Sequence, residues 1–446
     1  MSHSGVTHAS DVIVLGAGLA GLAAARDLAA AGVDVRVLDA RGRVGGRVEQ
    51  STLADGRIVQ LGGEVVGPAH TSYTQLVAEL GLTLVPAFAG LPGRDVWLMA
   101  DGRSQGEGIP WFTDADRRSY EQVERAFGAL VRSVDPDNPW AHPEAEKLDR
   151  LSVGQWLRAE GATPNVVRAR DVAMLALAAE SVERTSLLSD LRKEAAVGAT
   201  GFYDYDVWEV SRVGEGSATV ALRMAEVLGH RITLGAVVHR IDVSPRGCRV
   251  VLASGETFSA AAVISTIPAG PLRSIRIDGL SDARRASLDR QRHALTSKVT
   301  VAYPDSFWAA DGLNGTSYAE VGMLGGTWVQ RDGILSALVP PERQSAFLAT
   351  SPDRVQAEVL DELALAFGPQ ARDPLQFTVR RWATDPFTLG YITSWRPGDV
   401  MGVGPLHGTH EPPFYVAGSD QWVCGYMEGA VRTGRAAAAA VLEQGA

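Results

Sequence analysis

The chain is predicted to be an α/β protein that opens with a Rossmann-like βαβ unit and carries a second domain beside it. Three observations predict this. A strand, a glycine turn, a helix, a second strand and an acid follow one another in register over residues 11–39. The 446 residues exceed what one hydrophobic core usually holds. The middle of the chain is rich in amphipathic helical patterns. Two domains sharing a cleft leave room for a cofactor and a substrate.

Asp11-Val12-Ile13-Val14-Leu15 reads as a buried parallel strand, a short β-branched run that stops at glycine. The turn Gly16-Ala17-Gly18-Leu19-Ala20-Gly21 leads into a helix over Leu22 to Ala31, closed by Gly32, and Val33 to Leu38 forms the next strand. In such a GxGxxG turn, Gly16 makes the bend, Gly18 lets backbone approach a pyrophosphate, and Gly21 lets helix and strand pack closely. Asp39, eighteen residues beyond Gly21, ends the second strand where a carboxylate accepts hydrogen bonds from ribose hydroxyls. The unit alone leaves NAD and FAD both open. Further along, Arg249 to Thr266 reads as a hairpin, and Arg117 to Val134 and Pro164 to Glu180 as helices.

Composition narrows the class. With 46% apolar and 21% charged residues and no charge blocks, the chain is an ordinary globular protein. Its 42 basic against 52 acidic residues predict a surface that repels nucleic acid. The start, Met1-Ser2-His3-Ser4-Gly5, lacks the order of a signal peptide, and the apolar run from Val12 is broken by glycines and by Arg26. The end, Gln444-Gly445-Ala446, follows an Ala-rich helix without an apolar anchor. A soluble cytoplasmic protein is expected, with no membrane partner and with a homodimeric state left open. Two cysteines, Cys248 and Cys424, and no HExxH-like spacing imply neither a disulfide framework nor a metal site.

The stretch after Asp39 carries a second glycine motif. In Ala40-Arg41-Gly42-Arg43-Val44-Gly45-Gly46-Arg47 a Gly-Gly turn lets backbone lie against phosphate or flavin, while Arg41 and Arg47 offer fork-shaped donors. Leu61-Gly62-Gly63-Glu64-Val65-Val66-Gly67-Pro68 is a second Gly-Gly segment. Val416-Ala417-Gly418-Ser419-Asp420, then Gly425-Tyr426-Met427-Glu428-Gly429-Ala430, read as a strand, a loop and a helix. Together these resemble the flavin motifs of the flavin-containing monoamine oxidase family, GR2-type flavoproteins of the glutathione-reductase-like superfamily.

The resemblance implies a Rossmann-like FAD-binding domain with an interleaved mixed α+β substrate domain: 1–86, 207–290 and 396–446 for FAD, 87–206 and 291–395 for substrate. It places Gly16, Gly18, Gly21, Asp39, Arg41, Gly46, Arg47, Gly62, Gly63, Val238, Gly418, Asp420 and Met427 against the cofactor. The Gly62-Gly63 segment would pass along the flavin edge, and the Val238 backbone would meet the adenine. The last helix would aim its N-terminus at the flavin N1 and O2 region.

The implied activity is oxidation of an amine or amide C–N bond to an imine, with O2 reoxidising the flavin to give hydrogen peroxide. Lys298, in Leu295-Thr296-Ser297-Lys298-Val299-Thr300-Val301, matches the family lysine that holds a water near flavin N5; a lysine in such a strand is costly to bury without a partner or water. Tyr426 matches one ring of the family's aromatic slot. Aligned on Trp382-x-x-Asp385-Pro386 and Arg396-Pro397-Gly398, Ile392 takes the second ring's place, and Tyr391 takes the place that is cysteine in covalently flavinylated members. Non-covalent FAD is therefore expected, with either a half-aromatic slot or a bulge by which Tyr391 supplies the ring. Glu64 reads either as a proton or cation acceptor beside the flavin or as an acid paired with Arg47. Trp422 and Cys424 are candidates to line the pocket, with core packing favoured for Cys424, and Trp328 and Arg331 are further candidates. Alternatives are a tailoring oxidase whose imine is used for cyclisation, as in the lankacidin type, a flavin-dependent desaturase, and a non-catalytic flavin-binding protein.

Overall fold

The computed structural model describes residues 7–87, 91–177 and 180–445. The opening Met1 to Gly5, the final Ala446, and positions 178–179 inside the predicted helix that ends at Glu180 lie outside the described residues.

The predicted opening unit is present: strand Thr7–Leu15, helix Leu19–Ala30, strand Val35–Leu38. Val12, Ile13, Val14 and Leu15 are fully buried because this strand is covered on both faces, which is why its sequence is continuously apolar. It pairs in parallel with Val35–Leu38 on one side and Thr257–Ser265 on the other. The full sheet has eight strands, in the order Ile232–Thr233, Val35–Leu38, Thr7–Leu15, Thr257–Ser265, Gly247–Leu252, Val238–Ser244 and Arg276–Asp278, with Phe414–Val416 also joined to Thr257–Ser265. The predicted hairpin is its antiparallel pair Gly247–Leu252 and Thr257–Ser265. Helix Leu19–Ala30 packs directly on the last helix, Tyr426–Glu443. The contact is so close that a Cβ on Gly434 would meet the Ala20 carbonyl oxygen at 2.2 Å.

A second, mostly antiparallel sheet of seven strands runs in the order Gln376–Arg380, Ser297–Ala302, Ile334–Val339, Gly326–Arg331, Leu313–Ala319, Arg94–Met99 and Gly102–Gly106. Val299, Val301, Leu335 and Val339 pack with Leu363 and Phe367 of helix Pro352–Phe367. A helical layer completes the molecule: Asp114–Val131, Val153–Ala159, Pro164–Ala176 and Leu187–Ala195. Each begins where a hydroxyl at the N-cap, Thr113, Ser152, Thr163 or Ser186, accepts from a backbone N–H of the first turn. Phe127, Trp156, Leu188 and Leu191 form its core. The helix predicted from Arg117 starts three residues earlier, at the Thr113–Asp116 capping box. No helix among the described residues is long and apolar enough to cross a membrane.

Candidate active site

A cavity of about 640 Å³ lies between the carboxyl ends of the parallel strands and the second sheet, within the roughly 300–1,000 Å³ of small-molecule sites. Its position outside the strand ends is where open α/β sheets bind ligands. Gly16, Gly18, Asp39, Arg41, Gly46, Arg47, Gly63, Val238, Gly418 and Met427 all line it. Gly16 bends at φ +105°, and an added Cβ would strike the Thr266 hydroxyl at 2.5 Å. Gly18 and Gly46 face each other, and a Cβ on Gly46 would lie 3.3 Å from the Gly18 Cα. This is a cradle of bare backbone at the start of helix Leu19–Ala30, whose first residues Leu19 and Ala20 also line the cavity, so its free N–H groups suit a diphosphate.

Asp39 is buried and accepts from Ala17 N and Arg41 N, both at 2.7 Å. It shapes the cradle as well as facing it, and a carboxylate retains acceptor sites for ribose hydroxyls. The residues present therefore fit a dinucleotide such as FAD. Three residues expected against the cofactor stand behind the cavity wall instead. A Cβ on Gly21 would meet the Gly16 carbonyl oxygen at 1.9 Å, and one on Gly62 the Arg47 carbonyl oxygen at 1.9 Å. These two glycines are required by backbone crossing backbone. Asp420 is buried beneath the loop, where it pairs with Arg47 at 2.8 Å and meets His293 Nε2 at 2.7 Å. Burial opposes ionisation, yet Arg47 and His293 hold its carboxyl well below the usual range.

The two arginines expected to be forks for phosphate are already engaged. Arg41 pairs with Asp385 at 2.6 Å and lies over the Phe387 ring. Arg47 donates to the Tyr391 carbonyl at 3.0 Å and to Ser419 Oγ at 2.8 Å, besides its pair with Asp420. Arg47 thus ties the second glycine motif to the last one and to the Tyr391 segment.

Further along the cavity, strand Ser297–Ala302 delivers Lys298, only 1% exposed. Its Nζ donates to Glu64 Oε2 at 2.6 Å and to the Gly62 carbonyl at 2.9 Å, and the Trp328 indole N–H donates to Glu64 Oε1 at 2.5 Å. Burial lowers the ammonium's pKa against the raising fields of Glu64 and Glu209. Glu64 therefore has Lys298 as its ion partner, and the alternative of a pair with Arg47 does not occur. Sequence spacing could not find this pair, because its members lie on different elements more than two hundred residues apart.

The same cavity is lined by an aromatic group. Tyr426 starts the last helix with a left-handed φ of 58°, a strained setting for a tyrosine of the kind found at functional sites. Its ring stacks on Trp208 at 5.2 Å, Trp208 stacks on Tyr203 at 5.9 Å, and the Tyr426 and Tyr203 hydroxyls meet at 3.0 Å. The Tyr203 hydroxyl in turn donates to Glu209, whose carboxyl is pushed up to about 7 by burial. Lys193 Nζ lies 4.5 Å from the Tyr203 ring centre and 4.9 Å from that of Trp208. These residues were missed from sequence. The signal was present in the run Phe202-Tyr203-Asp204-Tyr205-Asp206-Val207-Trp208-Glu209, dense in rings and acids, but the expected domain boundary at 206/207 cut through it.

Tyr391 and Ile392 both line the cavity. Burial, then the fields of Glu209 and Glu64, push the Tyr391 phenol up, so it stays a neutral donor. Cys424 lines the cavity too, contrary to the expected core packing, because its loop runs just ahead of the last helix. Burial keeps its thiol protonated. Trp328 is also on the wall, whereas Arg331 turns away to the Gly214 carbonyl, and Trp422 packs against Gly429.

A family model described as flavin containing amine oxidoreductase matches residues 19–442. A putative flavin-containing monoamine oxidase, AofH, of Mycobacterium tuberculosis is 31% identical over 447 residues, covering 97% of this chain and 96% of that protein. Putrescine oxidase of Kocuria rosea is 29% identical, covering 98% and 95%. A solved structure of putrescine oxidase bound to putrescine superposes with a TM-score of 0.88 at 28% identity, covering 98% of this chain and 100% of the other. With glycine cradle, helix N-terminus and buried lysine arranged along one cavity, this chain belongs to the flavin-containing amine oxidoreductases, FAD-dependent enzymes that act on C–N bonds.

Proposed function

We propose that the chain oxidises a C–N bond of a small amine to an imine, with O2 as final electron acceptor and hydrogen peroxide as product. The observation that carries this reading is that Lys298, with Glu64, and Tyr426 wall the same cavity into which the glycine cradle opens. FAD, when bound, supplies the hydride acceptor and the centre that reacts with oxygen. Gly16, Gly18 and Gly46 leave its phosphates room, and Asp39 takes its ribose. The N-terminus of helix Tyr426–Glu443 adds a positive dipole end. Tyr391, standing where covalently flavinylated relatives carry cysteine, leaves the cofactor non-covalently held.

Lys298 holds a water on the cavity side, and Glu64 fixes where that ammonium stands. Tyr426 and Tyr391 orient the amine with neutral hydroxyls and apolar ring faces, excluding water from the reacting carbon. Glu209, its carboxyl pushed up to about 7 by burial, accepts from the Tyr203 hydroxyl and so orients the Tyr203 and Tyr426 hydroxyl pair. The two sheets support a division into a cofactor domain of 1–86, 207–290 and 396–446 and a substrate domain of 87–206 and 291–395. Two free cysteines and the lack of a spanning helix among the described residues support a cytoplasmic enzyme.

The test is an anaerobic titration of the FAD-loaded protein with a panel of primary and secondary amines, followed by admission of oxygen and a peroxide assay. Bleaching followed by peroxide is expected, and product analysis separates a hydrolysed imine from a cyclised one. A flavin that no amine bleaches removes the reading.

A further inference from the structure

Beyond the tyrosines the cavity continues into the helical layer, where one wall holds a buried arginine that makes no close ion pair among the described residues. Arg170, on helix Pro164–Ala176, is 6% exposed and lines the cavity. Its guanidinium lies over the Phe202 ring at 4.0 Å, which occupies one flat face. Its Nε is buried without a hydrogen-bond partner, and among the described residues no carboxylate forms an ion pair with it. The Tyr120 hydroxyl beside it accepts from the guanidinium, and the carboxylates of Glu124, Asp190 and Glu194 feel its charge without closing an ion pair with it. Holding the guanidinium Nε out of water without an acceptor costs stability that a ligand anion would return.

The charges around it point the same way. Asp190, also on the cavity wall, feels both Arg170 and Lys193, and its Oδ2 is buried without a partner. Lys193 stands three residues further along helix Leu187–Ala195, on the face of Asp190. Two cations therefore flank one acid. Glu180, the next carboxylate on the wall, is taken by Arg396 at 2.7 Å and Arg184 at 3.4 Å. Lys193 Nζ is 5.9 Å from the Tyr426 ring centre, so the cationic wall begins beside the amine end of the cavity.

We propose that this wall is a carboxylate subsite and that the substrate is an amine bearing a carboxylate, an amino acid held by the Arg170 fork with Lys193 adding charge. The proposal rests on the amine-oxidising reading for its substrate class, but its binding site stands on Arg170 and Lys193 independently of that reading. A fork of fixed donors takes both carboxylate oxygens, and a matched amine lacking them leaves the buried guanidinium unpaired, which is how a polar pocket rejects an analogue. The competing occupant is the second ammonium of a diamine, held by Asp190.

The test uses the FAD-loaded enzyme with matched pairs, phenylalanine against phenethylamine and 4-aminobutyrate against putrescine. A separate calorimetric titration uses 3-phenylpropionate, which carries the carboxylate without an amine. The carboxylate member of at least one pair is expected to have the higher kcat/KM by tenfold or more, and 3-phenylpropionate is expected to bind. Arg170→Gln should weaken 3-phenylpropionate about a hundredfold and erase the preference within the pair, with Arg170→Lys recovering part of both. Should Arg170→Gln fail to fold, Arg170→Lys and Lys193→Met in the same titration carry the test, each expected to weaken binding tenfold or more. A preference for phenethylamine and putrescine over their carboxylate-bearing partners, or 3-phenylpropionate binding that ignores all three variants, overturns the subsite. Arg170-dependent binding with no flavin bleaching by any amine would keep the subsite and remove the oxidase reading; oxidation of amines without carboxylate binding would do the reverse.

Discussion

Lys298 and Glu64 show how a buried charge pair changes what a single substitution means. Lys298→Met leaves Glu64 buried beside Trp328 without its cation, so it should cost roughly 3–5 kcal/mol of stability, largely recovered in the Glu64→Gln, Lys298→Met double variant. Denaturant midpoints of wild type, Lys298→Met, Glu64→Gln and the double variant check this, and additive losses would show that the two residues do not act as a pair. If Lys298 orders the reactive water, the double variant should still slow reoxidation by oxygen far more than reduction by substrate in stopped-flow measurements.

Glu194 gives a second residue-level prediction. It is 1% exposed, accepts from the Trp208 indole N–H at 3.0 Å, and burial raises it from 4.5 to about 7. Between those values the folded chain keeps a proton that the unfolded chain has lost, so this residue's contribution to stability falls as pH rises from about 4.5 to about 7 and is flat above. The loss is at most about 3 kcal/mol. Glu194→Gln should therefore gain on wild type between pH 5 and pH 8 in thermal unfolding, and parallel curves would refute the assignment.

Among elements, the glycine turn separates two jobs that one motif performs. A methyl at Gly21 would collide with the Gly16 carbonyl oxygen, whereas one at Gly18 finds only the Gly46 Cα at 3.9 Å. Gly21→Ala should lower the melting temperature of the apoprotein by several degrees. Gly18→Ala should leave it unchanged while weakening FAD at least tenfold, as measured by flavin fluorescence on titration of apoprotein. This opening unit was legible because every level agrees: β-branched run, glycines, helix and acid each favour the same local structure. The last helix was legible from Gly425-Tyr426-Met427 for the same reason, although its left-handed first residue was not, since that strain is maintained only by the packing around it.

For the whole molecule, the attachment of the cofactor is the sharpest test of the Tyr391 alignment. Acid precipitation of the FAD-loaded protein should leave a yellow supernatant over a white pellet; a yellow pellet would mean a covalent link. At this scale local spacing in the sequence determined the Rossmann-like unit, while the cofactor class and the candidates Lys298, Tyr426 and Glu64 came from the resemblance of its continuous motifs to the amine-oxidase family. Only the tertiary structure decided that Glu64 pairs with Lys298, that Asp420 secures Arg47 from behind, and that Tyr203, Glu209, Lys193 and Arg170 converge on one cavity with Trp208 stacked behind the tyrosines. These contacts join elements far apart in the chain, and burial, which turns a surface acid or cation into a perturbed one, exists only once those elements have packed.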